Sequence, residues 1–257
     1  MKKSIVVVLA FLTGSMLMAQ EGNNGSLIAG SVIYQQTVQL DIQLEGDAAQ
    51  FAHALPKERK SEKILHFTEE SALFENHHVE DVEEAMDMHG EGTMMIKMIE
   101  PDNKLFTDLE NKLQIEQKEF MSRVFLIEKD IEKGGWKLTG NQKIILEYAC
   151  QEAIAEEEGT MVHAWFTPEI SVPVGPGEFG NLPGLVLGVD INNGEQIIEA
   201  TSVELKPVDV EILKKPKKGK KVTEEEYQAI VEEKMKEMGA EGEGDGSGHA
   251  VMIRIHQ

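Results

Sequence analysis

Cysteine is nearly absent from this sequence, because Cys150 is the only one among 257 residues. A single thiol cannot form an internal disulfide. Cys150 follows the apolar run 144–146 and Tyr148, a pattern typical of a buried strand, where a thiol acts as a small apolar side chain. We therefore expect Cys150 to be buried. Hydrophobic residues make up 41% of the chain, enough for a sizeable core.

Positive charge is also scarce, since 25 lysines and arginines face 46 acidic residues and the formal net charge is −21. Such a chain repels nucleic-acid phosphates and anionic lipid surfaces, so we expect no nucleic-acid partner. The exception is a block of six lysines within 214–221. We interpret it as a solvated connector that offsets neighbouring acids, with docking to an acidic partner as the alternative.

Catalytic signatures are missing as well. The sequence has no His-Glu-x-x-His, no Gly-x-Ser-x-Gly and no phosphate-binding loop. His78-Val79-Glu80 matches only half of a zinc-deaminase signature. Cys150 and His163 could form a dyad, but nearby Glu152 would raise the pKa of the thiol and disfavour a nucleophile. The sequence therefore favours a protein that is not an enzyme.

The first 19 residues are typical of a signal peptide. Lys2 and Lys3 precede the apolar stretch 5–12, and Ala19 offers a small residue for cleavage. The stretch is shorter than the roughly 20 residues that span a bilayer. No cysteine follows it to accept a lipid. We expect a periplasmic or secreted protein that is neither a lipoprotein nor membrane-spanning.

Short alternating segments separated by turn residues follow along most of the chain, which is typical of antiparallel sheets. We predict a mainly β protein with one C-terminal helix, its sheet strongly curved or an open half-barrel, because about ten strands rarely form one flat sheet. The predicted β domain covers residues 20–213. A basic connector, an amphipathic helix and a Gly-rich linker occupy 214–248, and a last strand at 249–257 returns to the sheet.

Two local signals are sharper than the rest. Asn193-Gly194 predicts a hairpin between a strand starting at Leu185 and a partner strand over 196–205. Thr223 and Glu226 form a capping-box pattern that predicts a helix start, with Gly239 at its end.

Proline and glycine concentrate between Trp165 and Asp190, which holds four of the eight prolines. Proline fixes φ and removes a donor, and glycine allows close backbone approach. We interpret the segment as a buried structural crossing, with a ligand-contacting loop as the alternative. Its central motif comprises Asn181, Leu182, Pro183, Gly184, Leu185 and Val186.

This motif resembles the signature of the GLPGLI family of exported bacterial envelope proteins. The resemblance extends through 71–75, 120–127, 148–153 and 164–170, with Asn181 where the family name has glycine and Ser171 where proline is expected. Asparagine tolerates positive φ, so the turn can survive. The resemblance implies an envelope location and brings no activity with it.

The segment from His77 to Met98 is rich in soft ligands. Thioethers suit Cu(I), and imidazole suits copper or zinc. The alternative is that these methionines fill the core and the histidines are solvated among acids. The candidate metal ligands are Met86, Met88, His89, His77 and His78.

These observations give two hypotheses about function. The first is an exported, non-enzymatic envelope protein that binds a partner or an apolar ligand on a concave sheet face, as a lipid or lipoprotein carrier does. An apolar cavity of several hundred Å³ would support it. The second is a periplasmic copper-binding protein that uses the Met/His loop. No other cofactor is expected.

Overall fold

The computed structural model of the chain describes residues 28–43, 56–78, 82–87, 93–98, 100–131, 135–157, 159–241 and 252–254. The first eight strands are β1 Gly30–Gln39, β2 Asp41–Gln43, β3 Glu58–Phe67, β4 Ser71–His78, β5 Val82–Asp87, β6 Thr93–Met98, β7 Lys104–Asp108 and β8 Leu113–Phe120. The later elements are β9 Arg123–Asp130, β10 Lys137–Ile145, β11 Tyr148–Glu157, β12 Thr160–Thr167, β13 Leu185–Ile191, β14 Gln196–Leu205, β15 Lys220–Val222, α1 Glu224–Glu241 and β16 Met252–Arg254.

Twelve of these strands form one open sheet in the order β10-β11-β12-β13-β14-β1-β3-β4-β7-β8-β9-β15. Every pair in it is antiparallel except β15, which runs parallel to β9. Two-stranded ribbons, β5 with β6 and β2 with β16, stand apart from the large sheet. The predicted fold class is confirmed: a mainly β chain with a sheet that does not close and one C-terminal helix.

The two sharp local predictions lie where the sequence puts them. The hairpin joins β13 to β14 through residues 192–195, where Asn193 and Gly194 both have positive φ. The loop is two residues longer than the shortest hairpin turn, and the Asp190 carboxylate accepts a hydrogen bond from the Gly194 amide at 2.7 Å. Before α1, the Thr223 hydroxyl accepts from the Glu226 amide and the Glu226 carboxylate accepts from the Thr223 amide. The helix continues past Gly239 to Glu241, which the sequence did not indicate.

One face of the sheet, the inner face, carries the core. Cross-strand pairing aligns one row of its residues across eight strands, and all but one of them are apolar. The row runs Val203, Val32, Leu65, Phe74, Leu105, Glu116, Ile127 and Val222. At the β15 end, Phe125, Ile127 and Val222 pack against Tyr227 of α1.

The proline-and-glycine segment between β12 and β13 fills the middle of the inner face. Its side chains Ile170, Val172, Val174 and Leu182 are buried in the main core. Its backbone bonds to the start of β13, with the Leu185 amide donating to Ile170 and the Val186 amide donating to Val174, both at 2.9 Å. Burying each of these aliphatic side chains contributes roughly 1.5–3 kcal/mol. The chain therefore covers its inner face with its own loop.

The opposite face becomes concave where the β10–β11 hairpin curls toward β14. Lys143 of β10 and Glu199 of β14 form an ion pair at 3.4 Å although three strands separate them in the sheet order. Backbones four strand spacings apart lie about 19 Å from each other in a flat sheet, too far for these two side chains to meet. A side chain on Gly188 of β13 would also lie 3.0 Å from the Ile145 side chain of β10. We call this concave surface the outer trough.

The last segment of the chain reaches a different sheet from the one expected. β16 pairs antiparallel with β2, with Ile253 opposite Ile42, in the two-stranded ribbon. Within the described ranges, α1 included, no helix is long and apolar enough to cross a membrane.

Candidate functional site

The floor of the outer trough is a row of side chains on neighbouring strands. Pairing places Glu152 of β11 beside Trp165 of β12, Trp165 beside Gly188 of β13, and Gly188 beside Glu199 of β14. Gly188 has no side chain, and a Cβ there would lie 3.0 Å from the Ile145 side chain of β10 and 3.7 Å from Trp165. The Lys143 ammonium lies over the indole, 4.7 Å from the ring centroid. The result is an aromatic ring framed by charged and polar groups.

Glu152 is the most enclosed polar group of the trough, with 6% of its surface exposed. Its Oε2 accepts hydrogen bonds from Thr139 at 2.6 Å and from Asn141 at 2.7 Å. Its Oε1 lies 2.8 Å from Nδ1 of His163. Burial raises the pKa of Glu152, but the hydrogen bonds from Thr139, His163 and Asn141 outweigh burial and hold it below its ordinary value.

The ionised Glu152 therefore organises its neighbours rather than reacting. Since a carboxylate only accepts hydrogen bonds, His163 carries its proton on Nδ1 and turns Nε2 away from Glu152. Both carboxylate oxygens already have partners from the chain itself. Glu152 thus fixes the orientation of the Asn141 amide and the His163 ring at the edge of the trough.

A wider depression opens beside the tip of the β10–β11 hairpin. It measures about 340 Å³ and lies between residues 146–148 of the hairpin and residues 202–203 of β14. The pKa of the Tyr148 phenol is raised by burial and by the charges of Glu147 and Glu169. The phenol therefore stays neutral and can donate a hydrogen bond.

The inner face offers less space. A crevice between the crossing segment and β4, β7 and β8, lined by Phe74, Leu105, Gln114 and Glu178 among others, holds about 20 Å³. That volume suits a single water molecule. Val174 and its neighbours in the crossing segment occupy the space around this crevice.

Glu116 is the one charged residue in the apolar row of the inner face. Its Oε2 is buried without a hydrogen bond, with the Lys118 ammonium 3.3 Å away. Burial is the main cause that raises the pKa of Glu116; Lys118 and Lys129 lower it and Glu178 raises it further. Lys118 also lies over the Tyr227 ring of α1. The chain's own helix and loop surround this carboxylate, so it is less accessible than the outer trough.

The Cys150–His163 dyad that the sequence disfavoured does not form in the structure. The Cys150 thiol is 1% exposed and donates to the Tyr148 carbonyl at 3.6 Å, whereas His163 contacts Glu152. Burial raises the pKa of Cys150 to about 11, so the thiol is not a nucleophile at neutral pH.

The predicted metal ligands are only partly within the described residues. His77 and His78 lie at the end of β4, and His77 is exposed. Met86 lies in β5 opposite Met94 of β6. Met88 and His89 fall outside the described residues. Among the side chains that are described, no group of three or more His, Cys, Asp or Glu could hold a metal ion.

The motif at 181–186 sets the backbone conformation of the crossing segment. Asn181 has φ +60°, a left-handed conformation that asparagine tolerates. Leu182, Leu185 and Val186 are buried, while Pro183 is exposed. Gly184 has φ +154°, and a Cβ there would overlap the carbonyl of Thr167.

Comparison with known proteins adds a family. Residues 85–229, more than half of the chain, match the family model described as "N-glycanase peptide, N-terminal domain". The chain belongs to this family. The matched range contains β6 to β15, the outer trough and the first turns of α1. A search of curated proteins gave no match.

Solved structures support the fold. Two structures of PNGF-II, in space groups P21 and C2, match with a TM-score of 0.53 each and identities of 18% and 19%. Each match covers 79% of this chain but only 33% or 32% of the PNGF-II chain. The chain thus spans about a third of the length of these structures.

Family membership corrects three conclusions drawn from the sequence. The GLPGLI resemblance is wrong as a family identification, because the family model that matches is the N-glycanase N-terminal domain. The apolar-ligand carrier and the copper-binding protein are wrong as functions, because the family model that matches is the N-terminal domain of an N-glycanase. A Gly-Pro-Leu motif identifies a way of turning the backbone, which unrelated chains can share.

Sequence reasoning missed the residues of the outer trough. Trp165 was noted only as the start of the proline-rich segment, and Lys143, Glu199 and Tyr148 were given no role. Trp165 is one of two tryptophans in the chain, and their rarity was the available signal. The ion pair of Lys143 with Glu199 depends on the curl of five strands, which no local pattern reports.

Proposed function

We propose that this chain takes part in the removal of N-linked glycans, as a domain that engages the glycosylated substrate. The observation that carries the proposal is its membership in the N-glycanase N-terminal domain family. The likeness to about a third of PNGF-II is consistent with a domain that works beside a catalytic unit. We therefore propose substrate binding for this chain and activity on N-glycans for its assembly with a catalytic unit.

The side chains of the outer trough favour substrate binding over bond cleavage. Bond cleavage by general acid–base catalysis needs side chains that are free to exchange protons with the substrate and water. Glu152 is unsuited to that role, since Thr139, Asn141 and His163 occupy its oxygens. Glu199 is exposed and engaged with Lys143, which leaves it able to accept hydrogen bonds. The trough is therefore better suited to holding a polar ligand.

We also propose that the protein is exported, because residues 1–19 have the pattern of a cleaved signal peptide. Mass spectrometry of protein recovered from the envelope and the medium tests this proposal. A mature mass that begins after Ala19 supports it. An intact N-terminus on protein found only inside the cell contradicts it.

Calorimetric titration of the full chain tests the proposed function. The ligands are an N-glycosylated peptide, the same peptide without its glycan, and the free glycan. We expect the glycopeptide to bind at least tenfold more tightly than the bare peptide. Absence of binding to both glycopeptide and free glycan at millimolar concentration would contradict the proposal. Equal binding of the two peptides would instead assign the chain to recognition of the polypeptide.

A further inference from the structure

Trp165 combines features that are unusual on this chain. Its residue is partly buried against the core, it lies on the concave side of the sheet, and the Lys143 ammonium lies over its ring. Lys143 and its partner Glu199 are both partly exposed, with 37% and 55% of their side chains accessible. The other tryptophan, Trp136, donates its Nε1 hydrogen to the carbonyl of Gly180 at 3.0 Å and so belongs to the packing of the crossing segment.

Uncovering the Trp165 ring costs little. A cation–π contact at an exposed site is weak. An exposed ion pair such as that of Lys143 with Glu199 also contributes little to stability. A ligand that stacks on the ring and offers hydrogen bonds to both displaced charges can recover this free energy.

Sugars meet these requirements. One face of a pyranose ring presents C–H groups that pack on the electron-rich face of an indole, and its edge presents hydroxyls that both donate and accept. Glu199 can accept from such hydroxyls and Lys143 can donate to them as charge-assisted hydrogen bonds. An aliphatic ligand would leave both charges unsatisfied.

We propose that the outer trough is a saccharide-binding site in which one sugar ring stacks on Trp165 in the position taken by the Lys143 ammonium. Lys143 and Glu199 then hydrogen-bond to the hydroxyls of that sugar. Glu152 acts behind them by fixing Asn141 and His163. The inference rests on the proposed function, because the saccharide it names is part of an N-linked glycan.

The test uses the two tryptophans as matched reporters in the full chain. Trp136→Phe leaves Trp165 as the sole tryptophan, and Trp165→Phe leaves Trp136. Each variant is titrated with N,N′-diacetylchitobiose, the disaccharide at the base of N-linked glycans, and with a complete free N-glycan. Tryptophan emission is recorded, and thermal unfolding verifies that each variant is folded.

We expect the emission of the Trp136→Phe variant to shift with saturation and the emission of the Trp165→Phe variant to stay constant. Binding of the glycan should weaken at least tenfold in Trp165→Ala and two- to fivefold in Trp165→Phe, which keeps a smaller ring and the fold. The Trp136→Phe variant should bind as the unaltered chain does. Constant emission from Trp165 at saturation, or undiminished affinity in Trp165→Phe and Trp165→Ala, overturns the inference.

The design separates this inference from the proposed function. If the unaltered chain binds glycopeptide and the Trp165 variants bind it equally well, the saccharide site lies elsewhere and the proposed function stands. If the unaltered chain binds neither glycopeptide nor free glycan, both proposals fail.

Discussion

The inner face and the outer trough are two sides of the same sheet, and the chain treats them in opposite ways. On the inner face, the crossing segment covers the strands with Ile170, Val172, Val174 and Leu182, and the remaining crevice holds about 20 Å³. On the outer side, the curl of the β10–β11 hairpin creates a concave surface, and the partly exposed Lys143 lies over its aromatic ring. A concave surface is therefore not by itself a sign of a binding site. The candidate site lies on the side of the sheet that the crossing segment does not cover.

The two faces also differ in the hydrogen bonding and pKa of their buried carboxyl groups. Glu152 of the outer trough has three hydrogen-bond partners and a lowered pKa, whereas Glu116 of the inner face has a buried oxygen without a hydrogen bond and a raised pKa. The ionised carboxylate of Glu152 stabilises the folded chain, whereas ionisation of Glu116 destabilises it. Four substitutions test this contrast.

Gly184→Ala should have the largest effect, because it damages the segment that fills the inner face. The new Cβ would overlap the Thr167 carbonyl at a φ of +154°, so the crossing segment must shift. We expect a loss of about 3 kcal/mol or more in the free energy of unfolding, measured by urea denaturation. Gly177→Ala is the matched control, since it also has positive φ but faces open space, and should cost about 1 kcal/mol. Equal losses in both variants would contradict packing as the cause.

Glu152→Gln should have an intermediate effect and a clear pH dependence. We expect a loss of about 1–2 kcal/mol at pH 7, because the neutral amide accepts weaker hydrogen bonds than the carboxylate. The folded-state pKa of Glu152 is lowered, so its contribution is full above its unfolded pKa and disappears as the pH falls through the folded value. The difference from the unaltered chain should therefore shrink below about pH 4. A pH-independent difference would argue against an ionised Glu152.

Glu116→Gln should act in the opposite direction. Because burial raises the folded-state pKa of Glu116, its charged form disfavours folding above that pKa and the penalty is absent below the unfolded value. We expect the variant to be as stable as the unaltered chain or up to about 1 kcal/mol more stable at pH 7, with no difference near pH 4. Lys118 keeps Glu224 as an acidic neighbour, at 3.7 Å. A marked loss of stability at pH 7 would show that the ion pair of Glu116 with Lys118 supports the fold.

Lys143→Met should have the smallest effect on stability. It removes an exposed cation–π contact and an exposed ion pair while keeping an unbranched side chain. We expect a change under about 1 kcal/mol in thermal or urea unfolding. A larger loss would mean that Lys143 holds the hairpin in place, and the outer trough would then be a structural contact.

The sequence predicted those features that depend only on neighbouring residues in the chain. The Asn193-Gly194 turn, the capping box of Thr223 and the positive φ of Asn181 depend on residues close to one another in the chain, and all three are present. The curved, open sheet followed from strand number and spacing. These features need no knowledge of how distant strands pair.

The candidate site, in contrast, depends on how distant strands are brought together, which local sequence patterns do not determine. The ion pair of Lys143 with Glu199 joins residues 56 positions apart and requires the curl of five strands. The sequence also does not reveal which face of the sheet the crossing segment covers. The Met/His segment drew attention by composition, and Met88 and His89 fall outside the described residues.

Hydrogen–deuterium exchange of the full chain, with and without a saturating free N-glycan, tests most directly that the outer trough is the binding face and the inner face is closed. The account predicts slower exchange in residues 141–152 and 161–166, and unchanged exchange in the crossing segment at 170–187. Protection of the crossing segment with no change in the β10–β11 hairpin would contradict it.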